Sequence, residues 1–454
     1  MHTQHGFILI YVLSKHFINI LYSFDTAIYL YYTVETDQSI SAAVQLLYEK
    51  WRFFMLAIYL TPIYILLNFY VLRWGYLWIG NCHHLFRSTI FRVILTVIYI
   101  LISTTPLTGF LIKKPVSVHR LLKITSNYFL GIFMYILMTL LTADIIRLFF
   151  KHIVRASWIH SRIIFAITGA ACIFTVLLIS IKGIYHAKHI RVTPYQVTVN
   201  KTAAELDSLK IILVADTHFG YNAGAVHAKE LVNKINKENP DLVCIAGDIF
   251  DNEYDAIREP EKIKKILKNI HSRYGVYACW GNHDLNEPIL AGFTFDYGKE
   301  NAENLKDPRM KNFLKDSNIR LLEDESVLIN NSFYIVGRKD ASLIQKIEEK
   351  RKTPAQLTEK LDKDKPIIFI DHQPKELEKI ADAGVDLDLC GHTHDGQTFP
   401  GNFTVKFLWE NPYGYMQKGS MHNIVTSGAG VWGPAMRVGT NSEICTINLT
   451  FSNS

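Results

Sequence analysis

Polar residues of the types that bind metal ions follow five apolar runs in the C-terminal half of the chain. Each run has the composition of a buried strand, for example KIILVAD at 210–216 and DLVCIAGD at 241–248. Carboxylate, imidazole and amide groups together form the mixed oxygen and nitrogen ligand sets that hold first-row divalent cations. The residues concerned are Asp216, His218, Asp248, Asn282, His283, His372, His392 and His394.

The spacing within these motifs would bring pairs of side chains together. In an extended chain residues i and i+2 face the same way, so Asp216 can converge with His218, and His392 with His394. The carboxyl ends of strands in an α/β sheet meet at one edge, where ligand sites form. A single D-x-H or G-D is more often a turn or a cap, but the ordered set of five motifs, each after a strand, predicts a metal centre.

Two divalent ions at such a centre could activate water for attack on a phosphate ester. Ions roughly 3.5–4 Å apart lower the pKa of a bridging water and hold the phosphoryl oxygens for in-line displacement. Two ions outweigh the charges of Asp216, Asp248 and a hydroxide, so an attraction for anionic phosphate remains. His283 directly follows Asn282 and could protonate the leaving oxygen, or it could only support Asn282.

Three further residues are candidates for secondary roles. Asp251 could orient a ligand histidine or cap a helix, and Asp284 could orient His283. Arg437 could bind the substrate phosphate or a surface carboxylate. The ligand set contains no thiolate, so it fits Mn, Fe or Zn without choosing among them.

The elements that would carry these residues form an α/β domain from about residue 191 onward. Short apolar runs alternate with amphipathic stretches near 225–238 and 257–270, which predicts a parallel or mixed sheet covered by helices. Of the six cysteines, Cys244, Cys279 and Cys390 lie in predicted buried strands, and none forms a C-x-x-C pair. The sequence therefore indicates no disulfide framework.

The chain up to about residue 190 is apolar and aromatic, which predicts helices that cross a membrane. Four runs are long enough for a hydrocarbon layer of about 30 Å: 53–72, 90–112, 128–150 and 161–183. ILTVIYILIS at 94–103 lacks the polar stripe of a soluble helix. A weaker run at 7–32, interrupted by charged residues, is a further span, an interfacial helix or the product of a wrong start site.

The net charge of +6 is distributed as a membrane protein would need it. Basic residues at the ends of the apolar runs, such as Lys113 and Arg120, suit contact with lipid headgroups. No nucleic-acid-binding signature accompanies them. We therefore predict a multi-pass membrane region over 1–190, a catalytic domain over 191–454, and lipids rather than nucleic acid as the surroundings.

The polar motifs resemble those of the calcineurin-like metallophosphoesterases. They are D-x-H at 216–218, G-D-x-x-D at 247–251, G-N-H-D at 281–284, a histidine before proline at 372–374, and G-H-T-H at 391–394. The tail at 425–444 is similar to a membrane-tethered branch with bacterial phosphodiesterases and enzymes that resemble UDP-2,3-diacylglucosamine hydrolases of lipid A synthesis. This chain departs from that branch at Asp395 and at Asn441–Ser442.

The resemblance implies the family's α/β sandwich and an assignment of each ligand. Asp248 would bridge the two ions with one carboxylate oxygen on each, and His283 would stand beside them as a catalytic acid or charge stabiliser. The implied ligands are Asp216, His218, Asp248 and His394 for the first metal, and Asp248, Asn282, His372 and His392 for the second.

The implied activity is hydrolysis of a phosphodiester or pyrophosphate bond by metal-activated water. A lipid-linked substrate such as UDP-2,3-diacylglucosamine fits the membrane region. The alternatives are a general phosphodiesterase or phosphatase of soluble phosphate esters, and a non-catalytic membrane receptor that kept the fold. The sequence decides neither the oligomeric state nor the side of the membrane on which the domain lies.

Overall fold

The computed structural model describes residues 38–287, 289–290, 293–294, 305–347 and 349–452, with side chains from residue 60 onward apart from 293–294. The weak run at 7–32 lies outside these residues. The chain divides into two compact units, of which the larger comprises 63–295 and 303–454. The described part of the smaller unit is the helical stretch from Gln38 to Pro62.

The N-terminal region is built from apolar helices of 7 to 45 residues. They are α1 (Gln38–Cys82), α2 (Thr89–Ser103), α3 (Thr105–Leu111), α4 (Val116–His152) and α5 (Arg162–Lys188). Among the described residues, α4 and α5 are each long and apolar enough to cross a membrane. The pair α2 and α3, bent by 51°, would make a third span if it crosses as one unit. The run at 53–72 falls within α1 and stays a prediction as a span.

The C-terminal region contains two six-stranded mixed sheets. The first sheet consists of β1 (Arg191–Val199), β2 (Ser208–Val214), β3 (Leu242–Ala246), β4 (Val276–Cys279), β7 (Ile319–Leu321) and β14 (Glu443–Phe451). The second consists of β8 (Glu325–Ile329), β9 (Phe333–Gly337), β10 (Ile367–Ile370), β11 (Leu387–Cys390), β12 (Gly414–Lys418) and β13 (Met421–Val425). The strand order is β1-β14-β2-β3-β4-β7 in the first sheet and β12-β13-β11-β10-β9-β8 in the second. Most neighbouring strands are parallel, and the antiparallel pairs are β14–β2, β12–β13 and β8–β9. A short hairpin of β5 (Ile289–Leu290) and β6 (Phe293–Thr294) belongs to neither sheet.

The two sheets pack face to face, and helices cover their outer faces. Side chains such as Leu213 of β2, Cys244 of β3, Ile368 of β10 and Leu389 of β11 form one buried cluster between the sheets. Such alternation of buried strands and amphipathic helices is what the sequence predicted, and the α/β fold class is confirmed. The outer helices are α6 (Ala225–Lys237), α7 (Pro260–Leu267), α8 (Pro308–Asp316), α9 (Ala341–Ile347), α10 (Pro354–Thr358) and α11 (Leu377–Asp382), and α12 (Gly401–Thr404) follows β11.

Helices α4 and α5 lie directly against the α/β region. Helix α5 ends at Lys188 and β1 begins at Arg191, next to the predicted domain boundary. The backbone N–H of Arg437 donates to Gly183 O on α5 at 2.9 Å, and that of Ala435 donates to Asn127 O on α4 at 3.2 Å. The apolar helices therefore contact the segment that precedes β14, so they pack against the α/β region as well as being joined to it by the chain.

One buried carboxyl group in β11 titrates far from its ordinary range. Asp388 Oδ2 accepts a hydrogen bond from Asn423 Nδ2 at 2.9 Å, while no partner of Oδ1 is found among the described residues. Burial, with a smaller contribution from Asp371, raises the pKa of Asp388 to about 8. The folded protein therefore holds a neutral Asp388 at pH 7.

We expect Asp388→Asn to stabilise the protein more at high pH than at low pH. The unfolded chain releases this proton near 3.8 but the folded chain only near 8, so wild-type stability falls as pH rises between these values. The amide does not titrate, so at about 1.4 kcal/mol per pKa unit a gain on the order of several kcal/mol by pH 8 is expected. Thermal unfolding at pH 5 and pH 8 measures it. The same difference in Tm between variant and wild type at both pH values would contradict the prediction.

Candidate metal centre

The predicted ligands come from the carboxyl ends of strands in both sheets. Strands β2, β3 and β4 belong to the first sheet, and β10 and β11 to the second. All five strands end at the same edge of the sandwich, so residues far apart in sequence meet there. Asp216 and His218 follow β2, Asp248 follows β3, Asn282 follows β4, His372 follows β10, and His392 and His394 follow β11.

A first group consists of Asp216, His218 and His394. One potential ligand atom from each residue lies within 4.8 Å of the others, and all three residues are buried. His218 Nε2 is 3.1 Å from His394 Nε2, and His394 Nε2 is 3.7 Å from Asp216 Oδ1. The group contains three of the four ligands predicted for the first metal; the fourth is Asp248.

A second group consists of Asp248, His372 and His392, again with potential ligand atoms within 4.8 Å of one another. His372 Nε2 lies 3.1 Å from Asp248 Oδ2 and 3.2 Å from His392 Nδ1. Asn282 Oδ1 is 3.1 Å from the same His372 nitrogen and so joins this group. His372 Nδ1 is 2.8 Å from Ala246 O, which accepts its proton and leaves Nε2 for an ion.

The Asp248 carboxylate lies between the two groups. Its Oδ2 is 3.1 Å from His372 Nε2 and 3.9 Å from His218 Nε2, whereas Oδ1 accepts a hydrogen bond from the His283 backbone N–H at 2.7 Å. A single oxygen therefore faces both groups. The sequence-based expectation was one oxygen for each ion, and the hydrogen bond to His283 accounts for the difference.

The ligand loops adopt backbone conformations that the residue types do not favour. Positive φ angles occur at five predicted ligands: Asp216 (53°), His218 (44°), Asp248 (51°), His392 (73°) and His394 (52°). A non-glycine residue in this region costs on the order of 1–3 kcal/mol, and such strain clusters at functional sites. Gly247, at φ 75°, allows the loop after β3 to approach the loop after β4 closely, since a Cβ at Gly247 would lie 2.6 Å from Gly281 N.

The buried carboxylates of the two groups favour the presence of a positive charge between the potential ligands. Burial opposes protonation of His372, but Asp248 and Asp216 outweigh it and raise its pKa well above the ordinary value. Burial also opposes ionisation of Asp248, but His372 and His283 lower its pKa below the ordinary range. Burial lowers the pKa of both His392 and His394, so their nitrogen lone pairs stay free. Ionised carboxylate and free imidazole lone pairs facing one another fit divalent cations.

His283 borders the two groups without joining either of them. Its ring centroid is 5.2 Å from that of His218 and 6.0 Å from that of Trp432. Its Nδ1 is 2.6 Å from Asn252 Oδ1. Burial lowers the pKa of His283 to about 4, so the ring is largely neutral at pH 7.

Asp251 and Asp284 both contact the site, in different ways. Asp251 Oδ1 lies 3.6 Å from His218 Nδ1, and the nearest following α-helix begins only at Pro260. The two atoms are beyond hydrogen-bond distance, so the orienting role of Asp251 stays a prediction. Asp284 accepts hydrogen bonds from the backbone amides of Ile249 (2.8 Å), Phe250 (2.9 Å) and Gly281 (2.7 Å). It therefore holds two ligand loops together and does not orient His283.

Asn252 is the neighbour of His283 that the sequence analysis missed. Its Nδ2 donates to Glu287 Oε2 at 3.3 Å, and Lys346 Nζ lies 2.7 Å from the same oxygen. The amide is thereby oriented with its oxygen towards His283. The only available signal was its position immediately after the G-D-x-x-D motif.

Arg437 lies away from any position where a substrate could reach it. It is fully buried, and its guanidinium donates to the main-chain oxygens of Ser427 (2.5 Å), Gly430 (2.7 Å) and His394 (3.2 Å). It therefore fixes the His394 loop against the loop at 427–430. This burial argues against the phosphate-binding role expected from the sequence.

The match of the chain to a known family covers most of these strands and ligands. Residues 209–396 match the model of the calcineurin-like phosphoesterase family. This part of the chain is a calcineurin-like phosphoesterase domain. The family predicted from the motifs is thereby confirmed for residues 209–396. The role of each individual residue stays a prediction.

Relatives of the domain occur in bacteria and in vertebrates. A metallophosphoesterase of Campylobacter jejuni is 30% identical over 247 residues, which are 53% of this chain and 59% of that protein. A Danio rerio "transmembrane protein with metallophosphoesterase domain" is 27% identical, over 62% of each chain. The UDP-2,3-diacylglucosamine pyrophosphatase of Chlamydia trachomatis is 25% identical, over 46% of this chain and 70% of that protein. The chain thus spans about 60% of the length of the first two relatives.

Proposed function

We propose that this calcineurin-like phosphoesterase is a membrane-anchored enzyme that binds two metal ions and hydrolyses a phosphodiester or pyrophosphate bond. The observation that carries the proposal is the position of Asp248 Oδ2 between two groups of potential ligands. Asp216, His218 and His394 would hold one ion, Asn282, His372 and His392 the other, and Asp248 both. When bound, the ions supply an activated water and charge stabilisation for the phosphoryl group.

The residues around the metal groups would position the substrate and the proton. Asn252 accepts the Nδ1 proton of His283, so His283 Nε2 is the nitrogen left for the leaving oxygen. Trp432 packs near His283, and the Trp409 ring lies 5.0 Å from the His392 ring. These aromatic side chains give the rim apolar surface beside a charged centre.

A lipid-linked substrate is the candidate that the helices support. Helices α4 and α5 are candidate membrane spans and contact the loop before β14, so the metal centre would stay near a bilayer. An anchored site meets membrane-bound substrates at high effective concentration. The Chlamydia relative is named for a glycolipid pyrophosphate, which makes UDP-2,3-diacylglucosamine the first compound to test. Soluble phosphate esters are the alternative substrate class.

Metal analysis of the purified protein, combined with a substrate panel, tests the proposal. We expect two ions of Mn, Fe or Zn per chain, loss of activity on chelation, and recovery when one of these ions is restored. The panel comprises an aryl phosphomonoester, an aryl phosphodiester and UDP-2,3-diacylglucosamine in vesicles. Protein that binds no metal, or metal-loaded protein inert towards every member, would contradict the proposed enzyme. Preference for the soluble esters would select the alternative substrate class.

A further inference from the structure

Exposed apolar side chains are concentrated on the segment that follows the last ligand motif, which we call the 399–408 loop. Phe403 is 62% exposed, and Phe407 and Leu408 are each 76% exposed. Of the eight large hydrophobic side chains that are exposed among the described residues after 190, four lie in this loop. Single exposed apolar residues are common, but a cluster of this kind marks an interaction surface.

The exposed rings belong to an ordered piece of chain. Gly401–Thr404 forms a short α-helical turn, and Val405–Phe407 forms a 3-10 turn. Val405 is buried, and the rings of Phe403 and Phe407 lie 5.6 Å apart. The fold therefore presents the apolar cluster outward while Val405 holds the loop against the domain.

One end of the 399–408 loop touches the candidate membrane helices. Tyr135 of α4 donates a hydrogen bond from its hydroxyl to Phe399 O at 3.0 Å. Phe399 also lines an apolar cleft of about 660 Å³ together with Tyr135 of α4 and Ile179 of α5. The apolar surface of the helices thus continues onto the loop.

The depth of this contact suits the boundary of a bilayer. Ile179 lies 17 residues beyond Arg162, the first residue of α5, and at 1.5 Å per residue this is about 26 Å. The hydrocarbon layer is about 30 Å thick. Exposed apolar side chains on α5 continue to Ile181 and Tyr185. The loop therefore begins where α5 would leave the hydrocarbon layer.

The other end of the loop reaches the metal centre. Trp409 packs against His392 with 5.0 Å between the ring centroids. Lys406 is exposed between Phe403 and Phe407. Its long side chain can keep an ammonium group among anionic headgroups while its neighbours enter the apolar layer.

We propose that the 399–408 loop inserts Phe403, Phe407 and Leu408 into the leaflet next to the catalytic domain. Lipid is the partner because the cluster is continuous with the helices and carries a cation among its rings. The insertion holds the metal centre at the membrane surface, so a phosphate ester could react while its tail stays in the bilayer. The inference rests on the proposed anchoring by α4 and α5.

Fluorescence quenching in the full-length protein tests the insertion. The protein is reconstituted into vesicles of phosphatidylethanolamine and phosphatidylglycerol, with Cys82→Ser as background because Cys82 is the exposed cysteine. A bimane label is placed through Phe407→Cys, and through Phe403→Cys in a second variant. Val226→Cys, on an 86% exposed residue of α6, is the aqueous control, and Leu177→Cys on α5 is the membrane control.

We expect nitroxide-labelled lipid to quench the labels at 403, 407 and 177 several-fold more than the label at 226. Iodide in the water should show the reverse order. If lipid quenches only the label at 177, the loop does not insert, although the anchoring stands. If iodide quenches the label at 177 as well as that at 226, the anchoring itself is wrong and the insertion falls with it.

Discussion

The substitution Asp248→Asn is expected to lower the hydrolysis of an aryl phosphodiester by about a thousandfold or more. Asp248 Oδ2 is 3.1 Å from His372 Nε2 and 3.9 Å from His218 Nε2, so it is the oxygen that both proposed ions would share. An amide keeps the shape of the side chain but removes its negative charge from between two dications. The stoichiometry should therefore fall from two ions per chain to one or none.

Metal content and kinetics of the purified variant measure this expectation, and Asp388→Asn is a matched control. Asp388 is an equally buried aspartate in the same domain, but its contacts are to Asn423 and Cys390 and not to any proposed ligand. The control should keep both ions and full activity. An Asp248→Asn protein that retains two ions and wild-type turnover would exclude the bridging role.

The sequence predicted the strands and their polar ends because both are local patterns. Continuous apolar runs such as 210–214 and 242–246 are typical of strands buried on both faces, and the structure has strands there. Ligand types at the ends of such strands converge because parallel strands end at one edge. This reasoning brought Asp216 and Asp248 together without any knowledge of the loops between them.

Other features of the site could not be predicted because they depend on contacts between distant residues. The Asp284 side chain accepts hydrogen bonds from backbone amides of another ligand loop. Asn252 contacts His283, which lies 31 residues further along the sequence. The burial of Arg437 follows from a loop that closes around its guanidinium. Positive φ angles are uncommon for residues other than glycine, and their occurrence at five predicted ligands could not be read from the residue types.

The contacts of α4 and α5 with the catalytic domain could not be predicted from the sequence either, because they also join distant residues. The length of their apolar runs identified α4 and α5 as candidate spans, but hydropathy does not report which face of a helix contacts protein. Gly131 and Gly183 lack side chains where Met436 and Val438 approach them, since a Cβ would come within 2.8–2.9 Å of those side chains. Two glycines in long apolar helices are a weak signal by themselves. The structure shows that they make room for the side chains of Met436 and Val438.

The largest remaining effect is expected from His283→Ala, and it should depend on the leaving group. Asn252 Oδ1 accepts the Nδ1 proton of His283, so the protonated form of the ring would deliver its second proton, on Nε2, to the leaving oxygen. An alkyl leaving group needs that proton, whereas 4-nitrophenolate leaves readily without it. We expect a loss of about 10²–10⁴-fold for the alkyl phosphodiester, as general acids contribute, and a far smaller loss for the nitrophenyl ester.

The pH dependence of kcat/KM is a second, independent measurement of proton donation by His283. Burial lowers the pKa of His283 to about 4, so the protonated acid becomes scarcer as pH rises above that value. For the alkyl ester, the ratio of wild-type to His283→Ala kcat/KM should therefore fall between pH 5 and pH 8. Asn252→Ala, which leaves the imidazole without its acceptor, should reproduce part of the loss on the alkyl ester only. Equal losses on both esters, with a ratio that does not change with pH, would show that His283 stabilises charge and does not donate the proton.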